Sequence, residues 1–291
     1  MRRVVAVGYV SRNRKFTARR VSHPPPDNVT VMTEYVTLTF DQAGAITRIG
    51  LNRPAAANGM NDVMTRELAD VARRCDVADT KVVVLTANGR FFCAGGDLKA
   101  MASSSLGPGP YVKGIADDLH RAISTFARMD AVLITAINGV AAGAGFSLAI
   151  TGDLVLAAES ASFTMAYTKA GLSPDGSSSY FLPRLIGVRR TQELMLTNRR
   201  LSAHEASDWG LITEVVPDGD LVARTEALAT EMAAGSKYSG SAVKKLLLST
   251  FGNGLEEQME IEGRLIAACA AGDDGREGID AFLTKRTARF G

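Results

Sequence analysis

The chain has few of the residues that build disulfide frameworks or metal centres. Its 291 residues include three cysteines and three histidines. The cysteines are odd in number and widely separated, with no CxxC pair, which indicates a reducing compartment and argues against disulfides or a zinc site. The histidines, at positions 23, 120 and 204, are equally dispersed. We therefore expect no metal centre and a cytoplasmic location.

An excess of one charge and long apolar runs are also lacking. The formal net charge is +2, and no basic stripe with interleaved aromatic residues is present, so nucleic acid is not expected as a partner. No apolar run reaches the roughly 20 residues that a membrane-spanning helix needs. The hydrophobic content of 46% and the charged content of 22% are typical of a globular protein with a sizeable core.

Residues 1–33 differ from the rest of the chain. Seven Lys/Arg residues precede the first acidic residue, Asp27, and three prolines stand at positions 24–26. The segment lacks the continuous apolar stretch of a secretory signal. We interpret it as a flexible extension, with a targeting peptide or a basic arm as the alternatives. Met32 is a candidate translation start, which N-terminal sequencing of the native protein would test.

From residue 34 onward, predicted strands alternate with helices, and helices dominate at the end. Strands are predicted at residues 35–40, 46–51, 81–86, 131–136 and 153–157, the first two forming a hairpin around 41–44. Helices are predicted at residues 61–71, 111–129, 191–197, 203–209, 218–235, 239–251, 255–271 and 275–285. Residues 101–110 are predicted to form a mobile loop and 163–183 an irregular segment. This order predicts an α/β core over 34–230 and a C-terminal helical region over 231–291.

Two glycine-rich junctions each follow a predicted strand and precede a predicted helix. They are residues 91–99, FFCAGGDLK, and residues 137–147, INGVAAGAGFS. Glycine lets the backbone turn sharply and approach a ligand, with amide groups pointing at it. Two converging amides would stabilise an oxyanion. The same glycines could equally serve only tight turns and close packing, and the residues alone leave both interpretations open.

Two other enzyme classes fit the second junction poorly. The spacing of Gly139, Gly143 and Gly145 matches the phosphate loop of short-chain dehydrogenases, but such a loop follows the first strand of its fold. The Tyr-x-x-x-Lys pair of those enzymes is absent. A serine hydrolase would need a Gly-x-Ser-x-Gly elbow, which is also absent, and no histidine lies in a context that suggests Ser147 as a nucleophile.

Five motifs, in order along residues 35–290, carry a resemblance to a known family. They are residues 51–54 (LNRP) with 58–61 (NGMN), 83–99, 137–145, 201–212 and 277–286. Together they resemble the crotonase (enoyl-CoA hydratase/isomerase) superfamily. The resemblance implies an α/β fold, a crotonase-like spiral of ββα units with a C-terminal helical trimerisation region. It also implies an acyl-CoA thioester substrate, coenzyme A being part of the substrate, no separate cofactor, and a homotrimer or hexamer.

The resemblance assigns site residues as well. The backbone N–H groups of Gly96 and Ala144 match the family's oxyanion hole. The positions that match its coenzyme A contacts are Ala57, Asn58, Ala94, Lys99, Phe282 and Lys285. The last two match positions that reach the coenzyme A of a neighbouring subunit.

The two glutamates of the family's hydratases are replaced here by Ser147 and Tyr167. Neither side chain acts as a carboxylate base near pH 7. Asp175 occupies the turn that carries the catalytic acid of Δ3,Δ2-enoyl-CoA isomerases, and residues 163–175 resemble the ring-epoxide/oxepin-CoA isomerases of phenylacetate breakdown still more. We therefore expect a double-bond isomerase with Asp175 as its base. The alternatives are a hydratase, another enolate reaction such as that of a lyase, or a non-catalytic acyl-CoA-binding homologue.

Three aspartates could have a structural role instead of a catalytic one. Asp175 follows a proline and precedes serines, which is typical of a helix start. The family resemblance favours catalysis over that interpretation. Asp97 follows two glycines before a predicted helix, so we expect it to cap that helix and not to act as a base. Asp153, at the start of a predicted strand, is expected to be structural. Residues 100–111 are expected to select the acyl group, which the sequence does not identify.

Overall fold

The computed structural model describes residues 35–291. The predicted extension at 1–33 and the candidate start at Met32 lie outside the described residues. The strands are β1 (Leu38–Ala43), β2 (Ile46–Leu51), β3 (Val82–Ala87), β4 (Phe91–Cys93), β5 (Val132–Ile137), β6 (Val140–Ala142), β7 (Leu154–Ala158), β8 (Ser162–Thr164), β9 (Leu201–Ser202) and β10 (Glu214–Val216).

The α-helices are α1 (Asp62–Val77), α2 (Leu98–Ser103), α3 (Pro108–Arg128), α4 (Ala144–Ala149), α5 (Ser178–Thr197), α6 (Ala203–Asp208), α7 (Leu221–Ala233), α8 (Lys237–Ser249), α9 (Leu255–Ala271) and α10 (Asp273–Leu283). Within residues 35–291, no helix combines the length and the apolar character needed to span a membrane.

From β3 to β8, successive strands alternate between two sheets. The larger sheet has the order β1-β2-β3-β5-β7-β10, in which β1 is antiparallel to β2 and the other pairs are parallel. The smaller sheet has the order β4-β6-β8-β9. Each of the pairs β3–β4, β5–β6 and β7–β8 has its first strand in the larger sheet and its second in the smaller sheet, and a helix follows each pair. This repeat confirms the predicted α/β spiral of ββα units.

Most predicted elements are present, with shifted ends. The hairpin forms, but β1 runs through Ala43, so the turn lies at Gly44 and Ala45 and not at 41–44. Helix α1 begins after Asn61, whose side chain accepts a hydrogen bond from the Met64 amide at 3.0 Å. This contact is the predicted cap.

The predicted loop at 101–110 is shorter in the structure and covers only residues 104–107. Helix α2 covers its start, and α3 begins at Pro108. Proline is tolerated in the first turn of a helix because the N–H that it lacks would have no partner inside the helix. The irregular segment predicted at 163–183 contains β8 and the start of α5, which continues across a kink at Gly187.

An ion pair between a buried lysine and a partly exposed aspartate joins α8 to the residue before β7. Lys244 Nζ lies 2.8 Å from Asp153 Oδ2 and donates hydrogen bonds to the carbonyl groups of Phe126 at 3.1 Å and Ala131 at 2.7 Å. Asp153 also accepts a hydrogen bond from the Leu133 amide at 2.7 Å. Burial raises the pKa of the Asp153 carboxyl group, against the opposing effect of the Lys244 charge. Asp153 therefore has the structural role that was expected of it.

Replacing Lys244 with methionine should lower the free energy of unfolding by about 2–3 kcal/mol, because it leaves a partly buried carboxylate and two carbonyl groups without their buried donor. Urea denaturation of both proteins measures the difference. Lys245→Met is the matched control: the Lys245 pair with Asp130, at 2.9 Å, is about half exposed. Such a pair contributes below about 1 kcal/mol. Equal losses in the two variants would contradict the assignment.

Candidate active site

The two glycine junctions lie side by side because β4 and β6 are neighbouring parallel strands. Gly96 follows β4, and Ala144 is the first residue of α4 after β6. Within residues 35–291, neither of these two amide groups donates a hydrogen bond to an acceptor of the fold. Both residues line one cavity of about 370 Å³. Two unpaired amides on one cavity can stabilise a negatively charged oxygen.

Close packing between the junctions requires glycine at two positions. Gly95 has a φ of 96°, and a Cβ there would lie 2.8 Å from the Ala142 carbonyl oxygen and 3.5 Å from the Ala144 nitrogen. A Cβ on Gly145 would lie 2.3 Å from the Cys93 carbonyl oxygen, so α4 packs directly on β4. The same contacts that demand glycine therefore also set the positions of the two amides.

Residues 57–60 run beside residues 94–97 and are joined to them by backbone hydrogen bonds. The Ala94 amide donates to the Ala57 carbonyl group at 3.0 Å, and the Met60 amide donates to the Gly95 carbonyl group at 2.8 Å. The Asp97 amide returns a hydrogen bond to the Met60 carbonyl group at 2.9 Å. The LNRP…NGMN motif thus supports the first junction through its main chain.

Asp97 caps α2 in the way that was predicted. Its Oδ1 accepts hydrogen bonds from the amides of Lys99 and Ala100, each at 3.1 Å. Its Oδ2 lies 3.1 Å from Arg53 Nη2. Although burial alone raises the pKa of Asp97, the Ala100 amide and the Arg53 charge hold it below its ordinary value. Both carboxylate oxygens are therefore occupied, and Asp97 is a cap and not a base.

The residues that match coenzyme A contacts differ in their exposure to solvent. Ala94 and Lys99 are exposed beside the first junction, and Ala57 is half-buried. Asn58, in contrast, is 0% exposed. Its Oδ1 accepts a hydrogen bond from the Arg53 amide at 2.8 Å, and its Nδ2 donates to two carbonyl groups of the fold. Asn58 therefore supports the turn that carries Ala57 and presents no surface to a ligand in this conformation.

Phe282 and Lys285 lie at the C-terminal end of α10 and just beyond it. Phe282 is 84% exposed, and Lys285 has a left-handed backbone with φ of 54°. Their contact with the coenzyme A of another subunit stays a prediction.

Asp175 lines the same cavity as Gly96 and Ala144. Tyr167 donates a hydrogen bond from its hydroxyl group to Asp175 Oδ1 at 2.8 Å. The other carboxylate oxygen, Oδ2, lies 3.6 Å from His120 Nε2, and the Asp175 side chain is 29% exposed. The carboxylate thus has one oxygen toward a partly buried phenol and the other toward an imidazole.

The two positions that replace the family's hydratase glutamates form a hydroxyl network with Asp175. Ser147 donates from Oγ to the Asp175 carbonyl oxygen at 2.9 Å and lies 3.3 Å from the Tyr167 hydroxyl group. Burial, followed by the charge of Asp175, raises the pKa of Tyr167, so its phenol stays protonated at neutral pH. The structure therefore brings Ser147, Tyr167 and Asp175 into one group, in which two hydroxyls contact the loop of a single carboxylate.

Helices α2 and α3 supply much of the cavity wall. The wall is mainly apolar and includes Met60, Leu98, Met101, Val112, Ile115, Leu119 and Leu172. His120 also lines the cavity. From the sequence it was only one of three dispersed histidines, with no role assigned to it. Ala116 and His120 stand four residues apart on α3, so they share a helix face. Because no site residue was predicted on α3, this spacing alone could not have placed His120 at the site.

Known proteins resemble this chain in sequence and in structure. Residues 41–291 match the family model described as enoyl-CoA hydratase/isomerase. The 1,2-epoxyphenylacetyl-CoA isomerase of Escherichia coli K12 is 36% identical over 261 residues, which cover 89% of this chain and 99% of that protein. A probable enoyl-CoA hydratase of Rhodobacter capsulatus is 36% identical over 256 residues, covering 88% of this chain and 98% of the relative.

A solved structure of an enoyl-CoA hydratase from Polaromonas sp. JS666 matches the fold with a TM-score of 0.83. It is 29% identical in sequence, and the match covers 87% of this chain and 99% of that structure. The extent of these matches confirms the expectation from the motifs. The chain belongs to the enoyl-CoA hydratase/isomerase family, within the crotonase superfamily.

Proposed function

We propose that this protein is an enoyl-CoA isomerase that transfers a proton with one carboxyl group, that of Asp175. One observation carries the proposal. Among the described residues that line the cavity with the Gly96 and Ala144 amides, Asp175 is the one carboxylate. A double-bond shift needs a single group that removes a proton and returns it, which matches this set of residues.

The proposed reaction starts from a 3-enoyl thioester. Asp175 removes a proton from C2, and the electron pair of the broken C–H bond moves onto the thioester oxygen. The amides of Gly96 and Ala144 stabilise that oxygen. The protonated carboxyl group then returns the proton to C4, which leaves the double bond between C2 and C3. The hydrogen bond from Tyr167 to Oδ1 orients the carboxylate and leaves Oδ2 to carry the proton.

Hydration would require a further group that activates water. Ser147 and Tyr167 stand where the family's hydratases have that machinery, and neither is a carboxylate. The probable hydratase among the relatives is therefore a weaker guide than the site itself. The similarity to 1,2-epoxyphenylacetyl-CoA isomerase supports an isomerase and makes a ring-bearing acyl-CoA one candidate substrate.

Assays with 3-enoyl-CoA and 2-enoyl-CoA thioesters of equal chain length test the proposal. We expect interconversion of the two, with hydration of the 2-enoyl thioester at least about 100-fold slower. A ring-epoxide phenylacetyl thioester belongs in the same panel. Rapid hydration without a double-bond shift would overturn the proposal in favour of a hydratase. Micromolar binding without turnover of any thioester would favour a non-catalytic homologue.

We also propose that the protein self-associates through its C-terminal helices. Within residues 35–291, α9 contributes no buried residue. Large exposed apolar side chains on α8–α10 include Val243, Leu247, Leu255, Met259, Ile266, Ile279, Phe282 and Leu283. Exposed apolar surface of this extent is typical of a protein interface. From the family resemblance, we expect this surface to be buried in a homotrimer, or in a hexamer that is a dimer of trimers.

Sedimentation velocity should therefore give a native mass three or six times the protomer mass of 30.8 kDa. Replacing Ile266 with arginine should shift the mass toward the protomer, because it places a charge in the proposed interface. Val77→Arg, an equally exposed position at the end of α1, is the control and should leave the mass unchanged. A wild-type protein that sediments as a protomer at micromolar concentration would contradict the proposal.

A further inference from the structure

We propose that His120 exchanges protons between the Asp175 carboxyl group and solvent. This inference rests on the proposed isomerase function and adds a second titratable group to it. His120 would be a positioning and relay residue, acting through Asp175 and not on the acyl group itself.

The geometry sets the imidazole against the carboxylate oxygen that Tyr167 does not occupy. His120 Nε2 lies 3.6 Å from Asp175 Oδ2. The same nitrogen accepts a hydrogen bond from the Gly176 amide at 3.3 Å. The lone pair of a neutral imidazole thus faces the loop that carries the carboxyl group. A small rotation of either side chain brings the two atoms into hydrogen-bond range, as catalytic contacts in ligand-free sites often require.

The other groups around the carboxyl group cannot take this role. The raised pKa of Tyr167 keeps its phenol protonated, and the Ser147 hydroxyl does not titrate near neutrality. Histidine is the side-chain type that gains and loses a proton near neutral pH. Among the described residues in contact with Asp175, His120 therefore has the chemistry to pass a proton in both directions.

His120 also has access to solvent on its far side. Its side chain is 49% exposed. Besides the substrate cavity, it lines an open groove of about 760 Å³ between α1 and α3. The charged groups that share this groove are Asp117 and Arg121 of α3 and Asp70 and Arg73 of α1. A substrate that fills the cavity would exclude water from Asp175, while the groove would still supply water to the imidazole.

The relay consists of balanced proton transfers. After Asp175 has taken a proton from C2, its carboxyl group passes that proton to His120 Nε2, giving carboxylate and imidazolium. The imidazolium ring then turns about its Cβ–Cγ bond so that Nε2 faces the groove, where this proton leaves to water and a solvent proton replaces it. The ring turns back and returns the solvent proton to the carboxylate, which delivers it to C4. The isomerisation itself is unchanged, but the hydrogen that reaches C4 originates from solvent.

The test is isomerisation of a 3-enoyl-CoA in D₂O, stopped at low conversion and analysed by mass spectrometry. For the wild-type protein, we expect deuterium at C4 of the product and at C2 of the recovered substrate. In His120→Gln, which keeps a polar side chain but does not titrate, the ratio of deuterium incorporation to turnover should fall about tenfold or more. This ratio is normalised to turnover, so a loss of activity alone does not change it.

Two further variants make the result specific. In His120→Ala, added imidazole should restore deuterium incorporation, because a free base can enter the groove. His204→Gln is the matched control: His204 is an exposed histidine that pairs with Glu159 at 3.1 Å, outside the cavity. Its ratio of incorporation to turnover should equal that of the wild-type protein.

Different outcomes separate this inference from the proposed function. If the wild-type protein isomerises 3-enoyl-CoA without incorporating deuterium, or if His120→Gln keeps the wild-type ratio, the relay is wrong and the isomerase stands. If the wild-type protein isomerises no 3-enoyl-CoA, the proposed function fails and the relay fails with it.

Discussion

Asp175→Asn should lower kcat for double-bond isomerisation by about 100- to 10,000-fold, because the amide cannot accept the proton from C2. The side chains have nearly the same shape, so the hydrogen bond from Tyr167 keeps an oxygen acceptor at position 175. Steady-state kinetics with a 3-enoyl thioester measure the loss. Titration calorimetry with an unreactive saturated acyl-CoA should show nearly unchanged affinity.

Asp208→Asn is the control for this experiment. Asp208 is an exposed aspartate at the end of α6, and the same chemical change there should leave kcat unaltered. Turnover by Asp175→Asn at the wild-type rate would show that Asp175 is only a turn residue at the start of α5. The helix-start interpretation from the sequence would then be the right one.

Gly95→Ala should lower kcat by about 100- to 1,000-fold, the usual cost of losing one oxyanion donor. The new Cβ would lie 2.8 Å from the Ala142 carbonyl oxygen, so one of the two junctions must move. The movement displaces the Gly96 amide relative to the Ala144 amide. The φ of 96° adds strain for a residue with a Cβ. Kinetics and urea denaturation, run on the same preparation, separate lost catalysis from lost stability.

Gly114→Ala is the matched control for the glycine variant. Gly114 lies inside α3, and a Cβ there meets no atom within 4 Å. Alanine is the better helix former by about 1 kcal/mol, so this variant should be at least as stable as the wild-type protein and equally active. If Gly95→Ala retained full kcat, the close approach of the two junctions would not be what aligns the amides.

The order of elements was predictable because strong local patterns set it. Strands such as β3 and β5 are buried on both faces, and their continuous runs of mainly apolar, often β-branched residues are visible without a structure. The caps at Asn61 and Asp97 were predictable for a similar reason, since a polar residue before a helical pattern has few other uses. The family motifs added the ββα spiral, which no local pattern contains.

The errors arose where a breaker residue stands inside a helix. Pro108 and Pro110 made the start of α3 look like a loop, although proline fits the first turn of a helix. Pro183 and Gly187 hid the first half of α5 in the same way. His120 was missed for another reason: its partner Asp175 is distant in sequence, and only the packing of α3 against the loop before α5 brings them together.

The main-chain pairing of residues 57–60 with 94–97 has a consequence for how the substrate is handled. It places the proposed coenzyme A contacts at Ala57 and Ala94 on the same piece of backbone as the Gly96 amide. Coenzyme A bound against those residues would therefore hold the Gly96 amide in the position that stabilises the oxyanion. Binding energy from atoms that undergo no reaction would then appear in kcat as well as in affinity. A thioester trimmed to its pantetheine arm would turn over more slowly even at saturation, so coenzyme A would activate the acyl group that it carries.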